Sequence, residues 1–463
     1  KRRRSTVRIL RRSHVSLLTL FLVVGGAHAQ GDTVTAVAGD HYRAGGLKQA
    51  LLGRDYRDLW TTAIRVPVLD LDTFAGGLVP VERGSGMQTI SLRFRGADGV
   101  EYNFRSVDKD QTGGLHADFQ NTTVDRIAQD QVSSKHPVGA VIASALMEAA
   151  GILNPDPRLF VMPDDPSLGE YRETFAGMLG LLEVHPDEVS DEEPGFAGAI
   201  RVAGADRLLE HLEEDHLHRA DSRAFLRVRL FDLLIGDWDR HLGQWRWARY
   251  DREGRHVWVP VPEDRDNAFS SYDGLLLRLA GGAAPNLNPF GPAYPPIYGL
   301  VRNGEILDRE ILSDLSWDEF VAAAEYLQTH LTDDVLEQAI ARAPLEYRQL
   351  RGDELLETLR ARREALPEAA LAFYRLLARE VDVWATDEDE MAVAERLTEW
   401  HDRHAGRRQL MGGAAHGCAA AFCLASRMGE DVDLLPRHRP LAGSEEGERV
   451  AVRRRVSASS SRR

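Results

Sequence analysis

Two short stretches hold most of the side chains that could do chemistry: Gly236-Asp-Trp-Asp-Arg-His-Leu-Gly-Gln-Trp245 and Pro260-Val-Pro-Glu-Asp-Arg-Asp-Asn-Ala-Phe269. Each gathers carboxylates at the end of an apolar segment. Between them, Arg246-Trp-Ala-Arg-Tyr250 and Arg255-His-Val-Trp-Val259 flank a turn at Asp251-Arg-Glu-Gly254, an alternation that predicts a β-hairpin. A hairpin returns its two ends to one place, so Asp237, Asp239 and His241 are expected beside Asp264 and Asp266. Carboxylates crowded in this way repel unless a cation sits among them or one keeps its proton. Hard oxygen ligands favour Mg²⁺ or Mn²⁺ over zinc.

The elements around these stretches must position them. Val66–Leu71, Thr89–Phe94 and Val100–Phe104 read as strands, with Ala97-Asp-Gly99 as a hairpin turn. A Gly-rich segment, Gly76 to Gly86, lies between the first two. Val124–Gly151 has helical periodicity, broken at His136-Pro137 and closed by Gly151. Two further strands are expected at Arg158–Met162 and Phe175–Val184, and the acidic run Pro186–Pro194 marks a lobe boundary. Asp221 can N-cap a helix to about Ile235, which Gly236 ends. The Gly, Pro and Asn-rich stretch from Phe269 to Gly299 reads as loop. Ser316-Trp-Asp-Glu319 is a capping box, followed by helices at about 317–330, 333–343, 353–365 and 367–382.

Length and charge bound the class. A chain of 463 residues has room for two to three domains, and its net charge of −15 speaks against non-specific nucleic-acid binding. The basic start through Arg12, the apolar run Val15–Val24 and the small-residue site Ala27-His-Ala29 read as a signal peptide over residues 1–29. The expected address is therefore export, to the periplasm, cell envelope or outside, with membrane or envelope association left open. Cys418 and Cys423 are the two cysteines of the chain, so no disulfide framework is expected in its body. The domain reading is an irregular lead-in at 30–55, an N-lobe of sheet plus helix at 56–190, a helical C-lobe at 191–395 with the catalytic hairpin 236–269, and a low-complexity tail at 406–463.

A strand-rich first half with a Gly-rich turn, then a helix, two strands and a helical second half is how a two-lobed phosphotransferase is built. Its chemistry needs a backbone cover and a cation for the phosphates, a carboxylate at the acceptor hydroxyl, and carboxylates for the metal. Asp239-Arg-His241-x-x-Gln244, followed by Asp264-x-Asp266-x-x-Phe269, resembles the D-R-H-x-x-N and D-x-x-x-x-F pattern of the atypical protein-kinase-like superfamily. That group includes the HipA-like, CotH-like, Golgi casein-kinase-like and phosphatidylinositol kinases, and the chain is also similar to kinase-like regions of large bacterial envelope proteins. The resemblance spans roughly residues 61–387 and implies an α+β, two-lobed kinase-like fold with an antiparallel-sheet N-lobe and a mainly helical C-lobe. It implies Mg-ATP as cofactor and a protein or small-molecule acceptor that the sequence does not name.

Carried over residue by residue, the resemblance makes Asp239 the catalytic Asp, with His241 beside it as a hydrogen-bonding group. Asp264 becomes the principal metal ligand and Asp266 a second. Gln244 stands where the family has a metal-binding Asn and keeps the amide oxygen on a longer arm. Lys109 is the candidate phosphate-pairing lysine and Arg105 its rival; Asp130 is the carboxylate expected to pair with that cation, with Gln131 the weaker choice. Gly84 and Gly86 belong to the phosphate cover, and Glu183, within Leu182-Glu-Val184, borders the base.

Two alternatives stand beside the phosphotransferase. One is a catalytically degenerate kinase fold serving as an envelope binding module, which Gln244 would suit. The other is a metal-dependent glycosyltransferase using Asp237-Trp-Asp239 or Asp264-Arg-Asp266 as its D-x-D, which would call for alternating β/α units rather than antiparallel hairpins. His211, His216 and His218 fall at spacings that do not share one helical face, so they are not expected to bind metal together.

Overall fold

A computed structural model describes residues 32–84, 89–110, 122–186, 195–280 and 284–378, plus four short strands further on (380–385, 392–395, 421–424 and 449–454). The signal peptide and most of the tail read from the sequence lie outside the described residues. No helix among the described residues is long and apolar enough to cross a membrane.

The lead-in has regular structure. Strand β1 (Thr33–Val37) pairs with β2 (Ala63–Pro67) in an antiparallel ribbon, and helices α1 (Gly46–Leu52) and α2 (Arg57–Trp60) lie between them. The expectation of an irregular 30–55 missed Thr33-Val-Thr-Ala-Val37, a short β-branched run of the kind that suits a pleated ribbon. The strand expected at 66–71 ends early, at Pro67.

A five-stranded antiparallel sheet follows, built from β3 (Leu78–Arg83), β4 (Ser91–Gly96), β5 (Glu101–Ser106), β6 (Arg158–Val161) and β7 (Leu179–Val184). Helices α3 (Thr123–Asp130), α4 (Gly139–Ala149) and the single-turn α5 (Arg172–Phe175) lie in the connections. Strand order is β3-β4-β5-β7-β6. Period-two alternation gives the sheet two unlike faces. Leu92, Phe104 and Leu182 stand opposite one another across three strands and join Leu78 and Phe94 in a core. The other row, Arg93, Asn103 and Glu183, is polar, and Arg105 shares its side. Residues 175–178, expected to open the last strand, instead end α5 and turn at Gly177, whose φ is 75°.

The second half begins with β8 (Arg201–Gly204), α6 (Ala205–Glu214), β9 (His218–Ala220) and α7 (Ser222–Ile235), then the hairpin strands β10 (Trp245–Arg252) and β11 (Arg255–Pro262). These strands form a sheet in the order β8-β10-β11-β9. The hairpin has a two-residue turn, Glu253 and Gly254, with φ of 51° and 75°; both positive values match the strand twist of a type I′ turn. Trp245, Trp247 and Trp258 are fully buried. Asp221 caps α7 through a bond from the Ala224 amide, and Gly236 ends it in the left-handed region.

The remaining helices are α8 (Leu275–Ala280), α9 (Ile297–Val301), α10 (Glu305–Leu312), α11 (Trp317–His330), α12 (Asp333–Ile340) and α13 (Leu345–Leu377); α9, α10, α11 and α13 pack against α7, α8 lies on α1, and α12 on α4. Helices α8 and α9 occupy a stretch expected to be loop. The capping box at Ser316 and Glu319 is present. The two helices expected at 353–365 and 367–382 are one, α13, despite Pro367 in its interior. Proline removes the amide that would bond the Arg363 carbonyl. The Gln328 side chain fills the gap, donating to Arg363 O at 2.9 Å and to Glu364 O at 3.3 Å. The fold is thus α+β, with an antiparallel-sheet lobe followed by a mainly helical one, and its antiparallel first half gives no support to the glycosyltransferase alternative.

Candidate functional site

The two acidic ends of the hairpin do meet. The Arg240 guanidinium, fully buried and stacked 4.6 Å over Trp245, donates to Glu263 O at 2.9 Å and to Gln244 O at 2.8 Å. The Glu263 amide also donates to Gln244 O at 3.0 Å. Just beyond, Asp264 and Phe269 hold φ of 53° and 62°, the left-handed region that side chains other than glycine seldom occupy. Strain of that kind persists where surrounding contacts fix it, and it concentrates at working sites.

The carboxylates, however, part into three groups. Asp237 points into the interior, where Arg265 lies 2.8 Å away and Arg240 3.6 Å. Arg265 also pairs with Asp232, and Arg229 bridges Asp232 (2.7 Å) and Asp308 (2.6 Å). Arg229, Arg240 and Arg265 thus face Asp232, Asp237 and Asp308, a buried network of equal and opposite charge beneath the site. Burial pushes the Asp237 carboxyl up to about 6 against the pull of Arg240 and Arg265. This residue belongs to the scaffold, which corrects the expectation that it joins Asp239.

Asp264 and Asp266 face the polar side of the first sheet. Arg105 of β5 reaches Asp264 Oδ2 at 3.3 Å and Glu183 of β7 at 3.3 Å. Lys109 bridges Asp264 Oδ1 (3.3 Å) and Asp266 Oδ2 (2.7 Å), and Lys135 adds a second ammonium 2.8 Å from Asp266. Burial opposes ionisation of Asp264, but Lys109 and Arg105 outweigh it and hold the carboxyl well below the usual carboxylate range. Asp264 in turn raises the pKa of Arg105. Burial pushes Glu183 up to about 7, with Arg105 pulling the other way. The rivalry between Lys109 and Arg105 ends with both on Asp264. These side-chain cations relieve the repulsion between the two carboxylates.

Asp239 stands apart, with no ion pair among the described residues. Its oxygens accept from two neutral amides, Asn303 Nδ2 at 3.1 Å and Asn267 Nδ2 at 3.4 Å. His241 Nδ1 accepts from the Gly243 amide at 3.1 Å, and its Nε2 lies 3.3 Å from Gln244 Nε2. Gln244 Nε2 is also 3.4 Å from Asp264 Oδ2. With Nδ1 accepting, His241 Nε2 carries the ring proton and faces another donor in Gln244 Nε2, so the two make no hydrogen bond in this orientation; turning the amide to present its oxygen would give that proton an acceptor.

Two cavities meet at Arg105 and Asp264. One, about 270 Å³, lies between the sheet (Glu82, Gly84, Arg93, Asn103) and the hairpin ends (Gln244, Glu263). The other, about 50 Å³, runs inward past Lys109, Lys135, Glu183 and Asp266. Gly84 lines the larger one; Gly86 lies outside the described residues. Asp130 is elsewhere: it takes Arg57 at 2.6 Å and Lys48 at 2.6 Å. It is a lead-in partner rather than the mate of Lys109, because the end of α3 faces α1 and α2. Glu183, with Asp264, pairs with Arg105.

Among the described residues no group of three or more His, Cys, Asp or Glu side chains converges as a metal set. A cation nonetheless fits between Asp264 and Asp266, since the Lys109 ammonium already bridges them there. With the amide oxygen of Gln244 turned inward, the donors would all be hard oxygens. His211 and His218, expected to diverge, stack at 4.8 Å, with His256 4.6 Å from His218; the Trp258 indole donates to His218 Nδ1 at 2.9 Å. They form a packed aromatic column.

Sequence reasoning missed Lys135, Asn267 and Asn303. Lys135 was visible only as the residue before the His136-Pro137 break, and Asn267 as the neighbour of Asp266. Asn303 is 64 positions from Asp239 and carried no local signal.

No protein-family model matches the chain, and no curated protein does. Among solved structures it is similar to a proinflammatory kinase, CtkA, of Helicobacter pylori, with a TM-score of 0.32 and 10% identity over 62% of this chain and 94% of that one.

Proposed function

We propose that this chain is a kinase-like phosphotransferase, taking a phosphoryl group from Mg-ATP to a hydroxyl on a protein or small-molecule acceptor. The observation that carries the reading is the meeting of Arg105 and Lys109, from the end of one sheet, with Asp264 and Asp266, from the end of the hairpin. Asp239, which accepts from Asn267 one residue past Asp266, has no cation paired to it among the described residues. Arginine and lysine supply the positive charge a polyphosphate needs, and the 270 Å³ cleft beside Arg105 is lined by polar and charged residues apart from Gly84 and Gly243. Asp264, Asp266 and Gln244 would hold the divalent cation, which, when bound, neutralises charge on the phosphate oxygens.

Asp239 acts on the acceptor. Its carboxylate orients the hydroxyl and takes its proton as the oxygen bonds to the γ-phosphorus. The bond from that phosphorus to the bridging oxygen breaks, and its electron pair leaves with the diphosphate. Such a base is worth about 10²–10⁴ in rate. Export of the enzyme is part of the same proposal and rests on residues 1–29.

A second reading, a binding module without turnover, is favoured by one fact: Arg105, Lys109 and Lys135 already compensate Asp264, Asp266 and Glu183, so the site holds together without a metal. Calorimetry with Mg-ATP, followed by phosphoryl-release assays, tests both. Binding with release supports the transferase, binding without release supports the module, and neither overturns both. Asp239→Ala should abolish turnover and spare nucleotide binding, whereas Asp264→Ala should weaken metal-dependent binding itself.

A further inference from the structure

We infer that Asn303 and Asn267 are a pair of positioning residues that fix the plane of the Asp239 carboxylate, an inference that rests on Asp239 being the base. Asn303 lies in the turn Arg302–Gly304 after α9 and donates to Oδ1 at 3.1 Å; Asn267, one residue past Asp266, donates to Oδ2 at 3.4 Å. The two amides come from different parts of the chain and take different oxygens. A carboxylate held at both oxygens cannot spin about its Cβ–Cγ bond, yet each oxygen keeps a lone pair for an incoming hydroxyl.

Asn267 shows what this arrangement sacrifices. It is 3% exposed, and its own Oδ1 is buried with no hydrogen-bond partner. Native interiors rarely tolerate an unmet acceptor, and the exceptions call for an explanation. Here the amide has been turned so that its nitrogen meets Asp239. The reverse orientation would set the carbonyl oxygen against a carboxylate oxygen. Because Asn267 follows Asp266 directly, it also ties the position of the base to the segment that would hold the cation. Asn303 ties it to the helical lobe.

Among ionisable groups, Tyr272 feels the Asp239 charge, together with those of Lys135, Asp266 and Asp55. Asn303 is neutral, so the pair orients the carboxylate without adding charge to it. That property makes the role testable through Asn303→Asp, which is isosteric but sets a like charge against Oδ1 and drives one of the two carboxyls to keep its proton.

The experiment is Mg-dependent ATP turnover by the full chain, with water as acceptor, recorded as kcat and KM across pH. Asn303→Ala should lower kcat by about tenfold or more, with KM for ATP changed by less than about twofold. Asn303→Gln, which keeps the amide, should recover part of it. Asn303→Asp should move the acid limb of the kcat profile upward by about one pH unit, as a like charge does. A residue that only packed would lower thermal stability and leave that limb in place. If Asp239→Asn abolishes turnover while Asn303→Ala keeps wild-type kcat, the positioning pair is overturned and the base stands. If Asn303→Ala does not fold, an unmoved acid limb in Asn303→Asp overturns it equally. Turnover absent from the wild type overturns the base and the pair together.

Discussion

The ammonium of Lys109 lies 2.7 Å from the carboxylate of Asp266, joining the loop after β5 to the segment after β11 across 157 residues of chain. The same ammonium touches Asp264, so one charge spans both carboxylates that the proposed reaction assigns to a cation. Removing it has a specific consequence. In Lys109→Met, Arg105 and Lys135 remain but nothing bridges the pair, and loss of one such electrostatic contact costs about 10²–10³ in kcat. Steady-state ATP turnover checks this, and the double variant with Asp266→Asn should cost less than the two single losses combined.

Asp237 should answer to a different assay. It is buried among arginines and touches none of the proposed reacting groups. Asp237→Ala leaves Arg265 and Arg240 short of a counter-charge, a change worth about 3–5 kcal/mol of stability. Urea unfolding measures the loss. Asp237→Asn, which keeps one acceptor, should cost less, and neither should be rescued by added nucleotide beyond the ordinary effect of ligand binding.

Asp55 makes the stability depend on pH. Burial and the neighbouring Asp273 carboxylate push its pKa up to about 7 from an ordinary 3.8. The folded form therefore holds a proton that the unfolded chain has released between about pH 4 and 7. For a raised pKa the stabilisation is full below the unfolded value and is lost as pH rises through the folded one. Relative to Asp55→Asn, the wild type should lose Tm as the pH climbs from 5 to 8. Parallel melting curves would refute this if the two proteins track each other over that range.

Gln328 and Pro367 should be coupled. Gln328→Ala removes the donor to the half-buried Arg363 carbonyl and should cost about 0.5–1.5 kcal/mol, the net worth of one hydrogen bond. With Pro367→Ala the helix supplies its own amide, and the Gln328 substitution should then be nearly silent. A double-mutant cycle by urea unfolding reads the difference directly.

How far the sequence foretold all this depends on the range of the interaction. The hairpin, the Asp221 cap, the Gly236 stop and the Ser316 capping box rest on contacts within a few residues, and those were legible. The tripartition of the carboxylates was not. Asp237 and Asp239 stand two apart in the chain, and which one faces Arg265 depends on how the segment leaves Gly236, a tertiary matter. Asp130 misled because helical position alone could not say whether its partner was Lys109 or the pair Arg57 and Lys48. Asn303 had no signal short of the folded chain. The continuous α13 was read as two because a proline breaks a helix unless something else meets the freed carbonyl, and the group that does so is in another helix.

The tight turn at Glu253 and Gly254 has one more implication. It sits at the end of the hairpin remote from the reacting groups, roughly 25 Å away for eight strand residues. Yet, with the pairing of β10 to β8 and of β11 to β9, it sets which residue of β10 stands opposite which residue of β11. An insertion of a single residue there would slide one strand by a step, exchange its inward and outward faces, and bring the indole of Trp258 to the surface while Asp264 left its place beside Arg105. The alignment of the proposed chemistry is thus set from its far side as well as by the Arg240 bonds at its near one, and a lengthened loop, harmless in most surface positions, would act here at a distance.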